Sequence, residues 1–146
     1  MKTLRDTTVE RIRELRKARG MTQQDLADRI ALLGTPMHQT AIARIESGKR
    51  ELTLAEAFQF AYALDVAPVH LFVPTDSDEP INIGPNVEAS PYETRQWIRG
   101  YMPLFQDPRL YLSAVPLTEA KAAGDALAAW EQTSRIRVTT EPEEQN

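Results

Sequence analysis

The sequence predicts a mainly α-helical fold, with five short helices in the first half of the 146-residue chain and a small C-terminal segment that is either α or α+β. Two observations predict the helical half. Apolar residues recur every three or four positions through residues 6–73, which is the spacing of one helix face. Residues typical of helix caps stand at the ends of these periodic runs.

Three helices are predicted in the first third of the chain. The first covers about 6–19, and the second begins after Thr22, a favoured N-cap residue. Gly34 and Pro36 end the second helix, and a short third helix at about 38–46 stops at a glycine cap signal. The residues expected to face inward from these helices are Val9, Ile12, Leu15, Leu26, Ile30, Leu33, Ile42 and Ile45.

Two further helices complete the first half. Thr53 and Glu56 have the spacing of a capping box at the start of a fourth helix. Pro68 can open a fifth, short helix, because proline is favoured at the first helical position. The residues expected to face inward from these two helices are Leu54, Ala57, Phe58, Ala61, Leu64, Leu71 and Phe72.

A polar, acidic and proline-bearing stretch indicates a domain boundary after the fifth helix. We predict a first domain at 1–73, a linker at 74–90, a C-terminal segment at 91–139 and a disordered acidic tail at 140–146.

The C-terminal segment allows two interpretations. In the first, a helix at 91–102, capped by Ser90, precedes a strand at 109–115, a helix at 118–132 and a strand at 135–139. In the second, the whole segment is helical.

Composition excludes several classes of protein. The chain contains no cysteine, which rules out disulfides and Cys-ligated zinc. No apolar run is long enough for a membrane span or has the form of a secretion signal, so a cytoplasmic location is expected. No phosphate loop, nucleophile motif or metal spacing is present, so we predict neither enzymatic activity nor a cofactor.

Charge is distributed unevenly along the chain. The formal net charge is −4, but residues 1–50 carry eleven Lys and Arg against six Asp and Glu, whereas residues 51–146 carry six against fifteen. A basic first third is suited to contact with phosphate groups.

Residues 6–73 resemble the Cro/phage-repressor family of helix-turn-helix transcriptional regulators, also called the XRE family. The resemblance is carried by IRELRKARGMTQQDLADRI, by HQTAIARIESGKR and by the Thr-x-x-Glu cap that follows. It implies a five-helix, repressor-like DNA-binding domain. One departure is the connection ALLGTPM between the second and third helices, which is several residues longer than is usual in the family.

The resemblance also implies a set of DNA contacts. In the family, a glutamine after the cap of the second helix grips phosphate and supports the recognition helix, outward residues of the third helix read bases, and the next loop grips the backbone. The side chains of Gln39 and Arg44 suit adenine and guanine respectively, and Ala41 can touch a thymine methyl group. His38 is either a phosphate contact or an exposed polar residue. The positions implied are Gln23, Gln24, His38, Gln39, Thr40, Ala41, Arg44, Ser47, Lys49 and Arg50.

Helix one also carries a basic cluster, of which at most two members are expected to touch DNA. Its members are Arg11, Arg13, Arg16, Lys17 and Arg19.

The predicted function is sequence-specific transcriptional regulation by a repressor that binds double-stranded DNA as a homodimer through residues 38–46. The alternative is an antitoxin-like or adaptor protein that uses the same domain and binds a partner protein through 91–139. A segment of this size is marginal as an independent core, so we expect it to complete its core across a two-fold axis. Its apolar residues are Trp97, Ile98, Tyr101, Leu104, Phe105, Leu110, Leu112, Leu117, Leu127, Trp130, Ile136 and Val138.

Overall fold

The computed structural model describes residues 2–104 and, beyond them, residues 106, 107, 110, 111, 113–116, 118, 119, 121, 122, 124, 125, 128, 129 and 132. The chain divides into two compact units, and the boundary between them falls between Arg95 and Gln96.

Helices dominate the described part of the chain. The five helices predicted for the first half are confirmed, and a sixth helix follows a small sheet. The helices are α1 (Leu4–Ala18), α2 (Gln23–Ala31), α3 (Gln39–Glu46), α4 (Leu54–Ala63), α5 (Pro68–Phe72) and α6 (Pro91–Ile98). The strands are β1 (Ile81–Gly84) and β2 (Val87–Ala89). Among the described residues, no helix has both the length and the apolar character needed to cross a membrane.

Capping boxes fix where four of the helices begin, namely α1, α2, α4 and α6. At α2, the Thr22 hydroxyl accepts the amide of Asp25 at 3.0 Å, and the Asp25 carboxylate accepts the amide of Thr22 at 2.8 Å. The same reciprocal arrangement opens α1 at Thr3 and α4 at Thr53. The capping box at Thr53 and the cap at Thr22 agree with the sequence prediction, whereas the cap at Thr3 was not predicted and α1 begins at Leu4, slightly before the predicted start.

The core of the first unit lies between α1, α2, α3, α4 and α5. Burial of these apolar side chains is the main force that holds the short helices together, since helices of this length are not stable alone. Its fully buried members are Ile12, Leu26, Ala27, Ile30, Ile42, Ile45, Phe60, Leu64 and Leu71.

Three residues that were expected to face inward are exposed instead. On α4, Leu54 and Phe58 are 73% and 51% exposed, whereas Phe60 is fully buried. Nearly every residue of this helix is apolar, so periodicity could not decide which face packs inward. Leu33 is 38% exposed, because α2 ends at Ala31 and leaves Leu33 in the turn that follows.

A hairpin lies inside the segment predicted as a linker. Strands β1 and β2 pair antiparallel, with Ile81 opposite Ala89, and both of these residues are buried. On its other side β1 meets the N-terminus, where the amide of Asn82 donates to the carbonyl of Lys2 at 3.3 Å. Strands of four and three residues are too short to give a clear alternating pattern in the sequence.

In the second half, the predicted cap of α6 is confirmed, because the Ser90 hydroxyl accepts the amide of Glu93 at 3.2 Å. The predicted strand at 109–115 is wrong for those of its residues that the structure describes, since Leu110 and Tyr111 are helical. The described residues between 121 and 132 are helical. The predicted strand at 135–139 and tail at 140–146 lie outside the described residues, as do Phe105, Leu112, Leu117, Leu127, Trp130, Ile136 and Val138.

Candidate nucleic-acid interface

Helix α3 lies against the core by one face and presents the opposite face outward. Ile42 and Ile45 are fully buried and fix the rotation of the helix. Thr40 and Arg44 are exposed, and Gln39 is partly buried at the first helical position. Outward polar residues at the start and middle of a short helix are the arrangement that base-reading helices require.

The start of α3 follows the long connection from α2. His38 has the extended backbone of an N-cap residue, but its exposed side chain makes no capping hydrogen bond. Gly34 adopts a φ of +86°, which glycine tolerates best. The Gln59 side-chain amide donates to the Thr35 hydroxyl at 3.0 Å, so α4 holds the connection in place.

The end of α3 is a Schellman motif, which shapes the loop that follows. The amide of Gly48 donates to the carbonyl of Ile45 at 2.9 Å, and that of Lys49 donates to Arg44 at 2.8 Å. Gly48 has a φ of +72°. The Ser47 hydroxyl donates to the same Arg44 carbonyl at 3.2 Å, so it is engaged in closing the helix.

A chain of polar side chains connects α1, the end of α3 and the start of α2. Arg16 donates to both oxygens of Glu46, at 2.7 and 2.9 Å, and to the carbonyl of Met21 at 2.8 Å. The Gln23 amide donates to Glu46 at 3.0 Å, and its oxygen accepts from the Gln39 amide at 2.7 Å. We call these four side chains, Arg16, Glu46, Gln23 and Gln39, the polar relay.

The buried pair of Arg16 and Glu46 fixes which group donates and which accepts in each hydrogen bond of the polar relay. The side chains of Arg16 and Glu46 are only 10% and 5% exposed. Burial raises the pKa of Glu46, but the hydrogen bonds from Arg16 and Gln23 outweigh it, so this pKa lies below its ordinary value. An ionised carboxylate only accepts hydrogen bonds, so Gln23 must turn its NH₂ group to Glu46 and its oxygen to Gln39.

The loop after α3 presents two cations in different ways. Lys49 is exposed. Arg50 is partly buried and donates to Glu56, in the first turn of α4, at 2.6 Å. Burial raises the pKa of Glu56, but the Thr53 and Arg50 hydrogen bonds outweigh it and leave that pKa below its usual value. Glu56 therefore holds Arg50 beside the loop as a charged pair.

The remaining residues predicted to contact DNA differ in their exposure and in the hydrogen bonds that their side chains already make. Gln24 is exposed, but its amide donates to Asp28 one turn later at 2.7 Å. Ala41 is partly buried and packs against the core. Within the described part of the chain, the guanidinium of Arg44 has no hydrogen-bond or ion-pair partner, and it is exposed.

Two residues that shape this surface were not predicted to do so. Arg16 belongs to the basic cluster of α1 but is buried, and Glu46 was not singled out at all. They are 30 positions apart in the sequence, and no local pattern indicates that they pair. Arg13 and Lys17 are the members of the basic cluster that remain exposed without a hydrogen bond among the described residues.

Comparison with protein-family models gives a match to the family described as Helix-turn-helix, over residues 12–71. These residues form a helix-turn-helix domain of the Cro/phage-repressor type. The resemblance stated from the sequence is thus confirmed for this part of the chain. Comparisons with curated proteins and with solved structures gave no significant match.

The helix-turn-helix domain identifies the chain as a DNA-binding transcriptional regulator in general terms. Domains of this kind use the second helix of the pair to contact the major groove, and α3 is the second helix of the pair that it forms with α2. The matched residues contain the whole polar relay, from Arg16 to Glu46.

Proposed function

We propose that this protein is a repressor that binds a two-fold operator as a homodimer, with α3 of each copy in the major groove. The observation that carries the proposal is the polar relay, which holds the first residue of α3 in one orientation. A side chain that is already held loses little entropy on binding, and a fixed amide can discriminate between bases.

Gln39 is suited to read adenine. One hydrogen of its amide is used by Gln23, which leaves one N–H donor and the Oε1 acceptor. Adenine offers an acceptor and a donor side by side at the major-groove edge, whereas guanine offers two acceptors. Arg44, exposed five residues further along α3, has donors that match the two acceptors of guanine.

The other predicted contacts would position the domain on the duplex. Lys49 and Arg50 stand in the loop after α3, where cations can meet phosphate oxygens. His38, Gln24 and Ser47 are exposed polar residues at the ends of α2 and α3 and would make further backbone contacts. Thr40 and the methyl group of Ala41 would lie nearest the bases beside Gln39.

We propose that the C-terminal segment supplies the main dimer contact. Met102 and Leu104 are buried within the second unit, whereas Tyr101 and Leu110 are 38% and 74% exposed. Linking two readers raises the effective concentration of the second at its half-site. Sedimentation of the full-length chain at tens of micromolar should therefore show a dimer, and a monomer at that concentration would exclude this arrangement.

The test of the proposed function is selection of bound sequences from random duplexes by the full-length protein. We expect two inverted half-sites about 10 bp apart. Gln39→Ala should then weaken operator binding by about 1–3 kcal/mol and relax the base preference at one position in each half-site. Gln24→Ala is the matched control and should keep that preference. Recovery of no preferred sequence, or an unchanged preference in Gln39→Ala, would overturn the proposal.

The second candidate function is an antitoxin-like or adaptor protein. It is favoured by an open, mostly apolar groove of about 370 Å³ in the second unit, which could receive a partner protein. Its lining includes Tyr101, Leu110, Tyr111, Val115 and Pro116. A second polypeptide that purifies with the chain and is released by Leu110→Glu would favour this function over the simple repressor.

A further inference from the structure

Helix α4 is hydrogen-bonded to the segments on both sides of α3. Before α3, the side-chain amide of Gln59 donates to the hydroxyl of Thr35 at 3.0 Å. After α3, the carboxylate of Glu56 accepts from the guanidinium of Arg50 at 2.6 Å. Gln59 and Glu56 are three residues apart in α4, so their side chains lie on one side of that helix. One helix therefore holds both the segment that enters α3 and the segment that leaves it.

The segment that enters α3 has few other contacts to hold it. We call residues 32–38 the α2–α3 connection. Within the described part of the chain, the amides of Thr35, Met37 and His38 make no hydrogen bond, and Pro36 has no amide hydrogen to donate. The side chain of His38 does not cap α3, whereas capping boxes begin α1, α2, α4 and α6. Among the described residues, the bond from α4 and the burial of Met37 in the core are thus what fixes the connection just before α3.

Stability does not explain why a glutamine stands at position 59. Its Oε1 atom is buried, and no donor in the described part of the chain lies within hydrogen-bond distance of it. A buried acceptor that the protein leaves without a donor lowers stability. Methionine has a similar length, adapts to irregular spaces and carries no such acceptor. The bond that Gln59 donates to Thr35 is therefore the contact that distinguishes it from an apolar residue of the same size.

We propose that Gln59 and Thr35 are positioning residues for base recognition, because their hydrogen bond fixes the first turn of α3. The proposal rests on the proposed function, in which Gln39 reads a base from that turn. Ile42 and Ile45 hold α3 against the core, but both lie beyond its first turn. A group that reads a base must be held within about 0.5 Å of its productive position. A connection without its bond to α4 would thus relax reading by Gln39 while α3 stays packed.

The two ends of α3 should respond differently to the loss of this bond. Arg44 lies near the C-terminal end, where the amide of Lys49 donates to the Arg44 carbonyl at 2.8 Å. The backbone at that end is closed by its own hydrogen bonds and does not depend on the α2–α3 connection. Loss of the bond to α4 should therefore relax the base preference at the position read by Gln39 and leave the position read by Arg44 unchanged. A general loss of stability would not distinguish the two positions.

Two substitutions remove the bond and keep the size of the side chain, namely Gln59→Met and Thr35→Val. The measurement is selection of bound sequences from random duplexes by the full-length protein. In both variants the base preference at the position read by Gln39 should fall about fivefold, the factor that corresponds to the net loss of one hydrogen bond. The preference at the position read by Arg44 should not change. Thr35→Ser keeps the hydroxyl and should retain the parent's preference at both positions.

The matched control is Thr8→Val, which removes a hydroxyl that donates to the carbonyl of Leu4 within α1 at 2.7 Å. This control should change the preference at neither position. The double variant Gln59→Met with Thr35→Val should lose no more preference than either single variant, because both substitutions remove the same bond. An unchanged preference at the position read by Gln39, an equal loss at both base positions, or losses that add in the double variant would overturn the proposal.

Hydrogen exchange in the free protein tests the same bond without DNA. The amides of Ala41 and Ile42 donate to the carbonyl of His38 at 2.9 and 3.4 Å, so their exchange reports on the first turn of α3. Both amides should exchange about fivefold faster in Gln59→Met than in the parent. The amide of Ser47, which donates within the last turn of α3, should exchange at the parent's rate.

The exchange measurement separates this proposal from the proposed function. Unchanged exchange of Ala41 and Ile42 would overturn the role of the bond, and Thr35→Val gives the same readout if Gln59→Met folds poorly. Failure of the parent protein to bind any duplex would instead count against the proposed function, while the exchange rates would still report on how α4 positions α3.

Discussion

Replacing Glu46 with glutamine would leave the buried guanidinium of Arg16 charged and without its carboxylate. The two side chains are only 10% and 5% exposed and share hydrogen bonds of 2.7 and 2.9 Å. Breaking a buried pair by removing one partner costs about 3–5 kcal/mol. Since glutamine keeps one acceptor oxygen, we expect the lower end, about 3 kcal/mol. In urea, with a slope of about 1–3 kcal/mol per molar, the midpoint should fall by at least about 1 M.

The control for this measurement is Glu51→Gln. Glu51 is 80% exposed and pairs with Arg5 at 3.0 Å, and exposed pairs contribute about 1 kcal/mol or less. If Glu46→Gln cost no more than Glu51→Gln, the reasoning about the buried pair would be refuted. The loss at Glu46 should also persist at 1 M salt, because buried charges are poorly screened.

A double variant separates stability from DNA reading. Arg16→Met with Glu46→Leu removes both charges and fills the space with apolar side chains, an exchange that is often neutral for stability. We expect most of the lost stability to return. Gln23 would still lack its acceptor, so the amide of Gln39 would no longer be fixed, and the base preference at its position should stay relaxed. A double variant with the parent's base preference would refute the role of the polar relay.

Three other predictions follow from single side chains. The pKa of Glu46 is lower in the folded chain than its ordinary value of 4.5. The stability that its charge contributes is therefore complete above pH 4.5 and is lost as the pH falls through the folded pKa. Denaturation curves of the parent and of Glu46→Gln should converge in acid. Lys49→Ala should weaken binding to all duplexes alike and reduce by about 1 the magnitude of the slope of log K against log salt concentration. Lys121→Ala should change neither quantity. Asp65 follows α4 with a φ of 50°, a conformation that glycine adopts more readily than aspartate. Asp65→Gly should therefore raise the free energy of unfolding by about 0.5 kcal/mol, measured by thermal unfolding. A decrease would show that the Asp65 side chain is needed there.

The elements that could be predicted from the sequence are those specified by neighbouring residues. The capping boxes at Thr22 and Thr53 join residues three positions apart, and the glycine end of α3 is equally local. The inward face of α4 could not be predicted in the same way. Its exposed residues, such as Phe58, are as apolar as its buried ones, such as Phe60, so only the positions of the other helices decide which side packs inward.

The candidate site could be predicted only in part, because some of its residues pair across long distances in the sequence. The family resemblance was sufficient to single out Gln23 and Gln39, which the structure brings within 2.7 Å of each other. It did not point to Arg16 and Glu46, which fix the direction of that hydrogen bond. In the sequence these two are ordinary charges on helices, and their pairing depends on how α1 packs beside α3.

The polar relay has a consequence for how base preference would evolve in this domain. Under the proposed function, Gln39 touches the base, yet its orientation depends on Gln23, and that of Gln23 depends on a carboxylate held by Arg16. A substitution in α1 could therefore alter discrimination without moving any residue that meets DNA. The same substitution would lower stability, because it would leave a buried charge unpaired. Changes of preference through α1 should therefore require paired substitutions, whereas changes through the exposed Arg44 require only one.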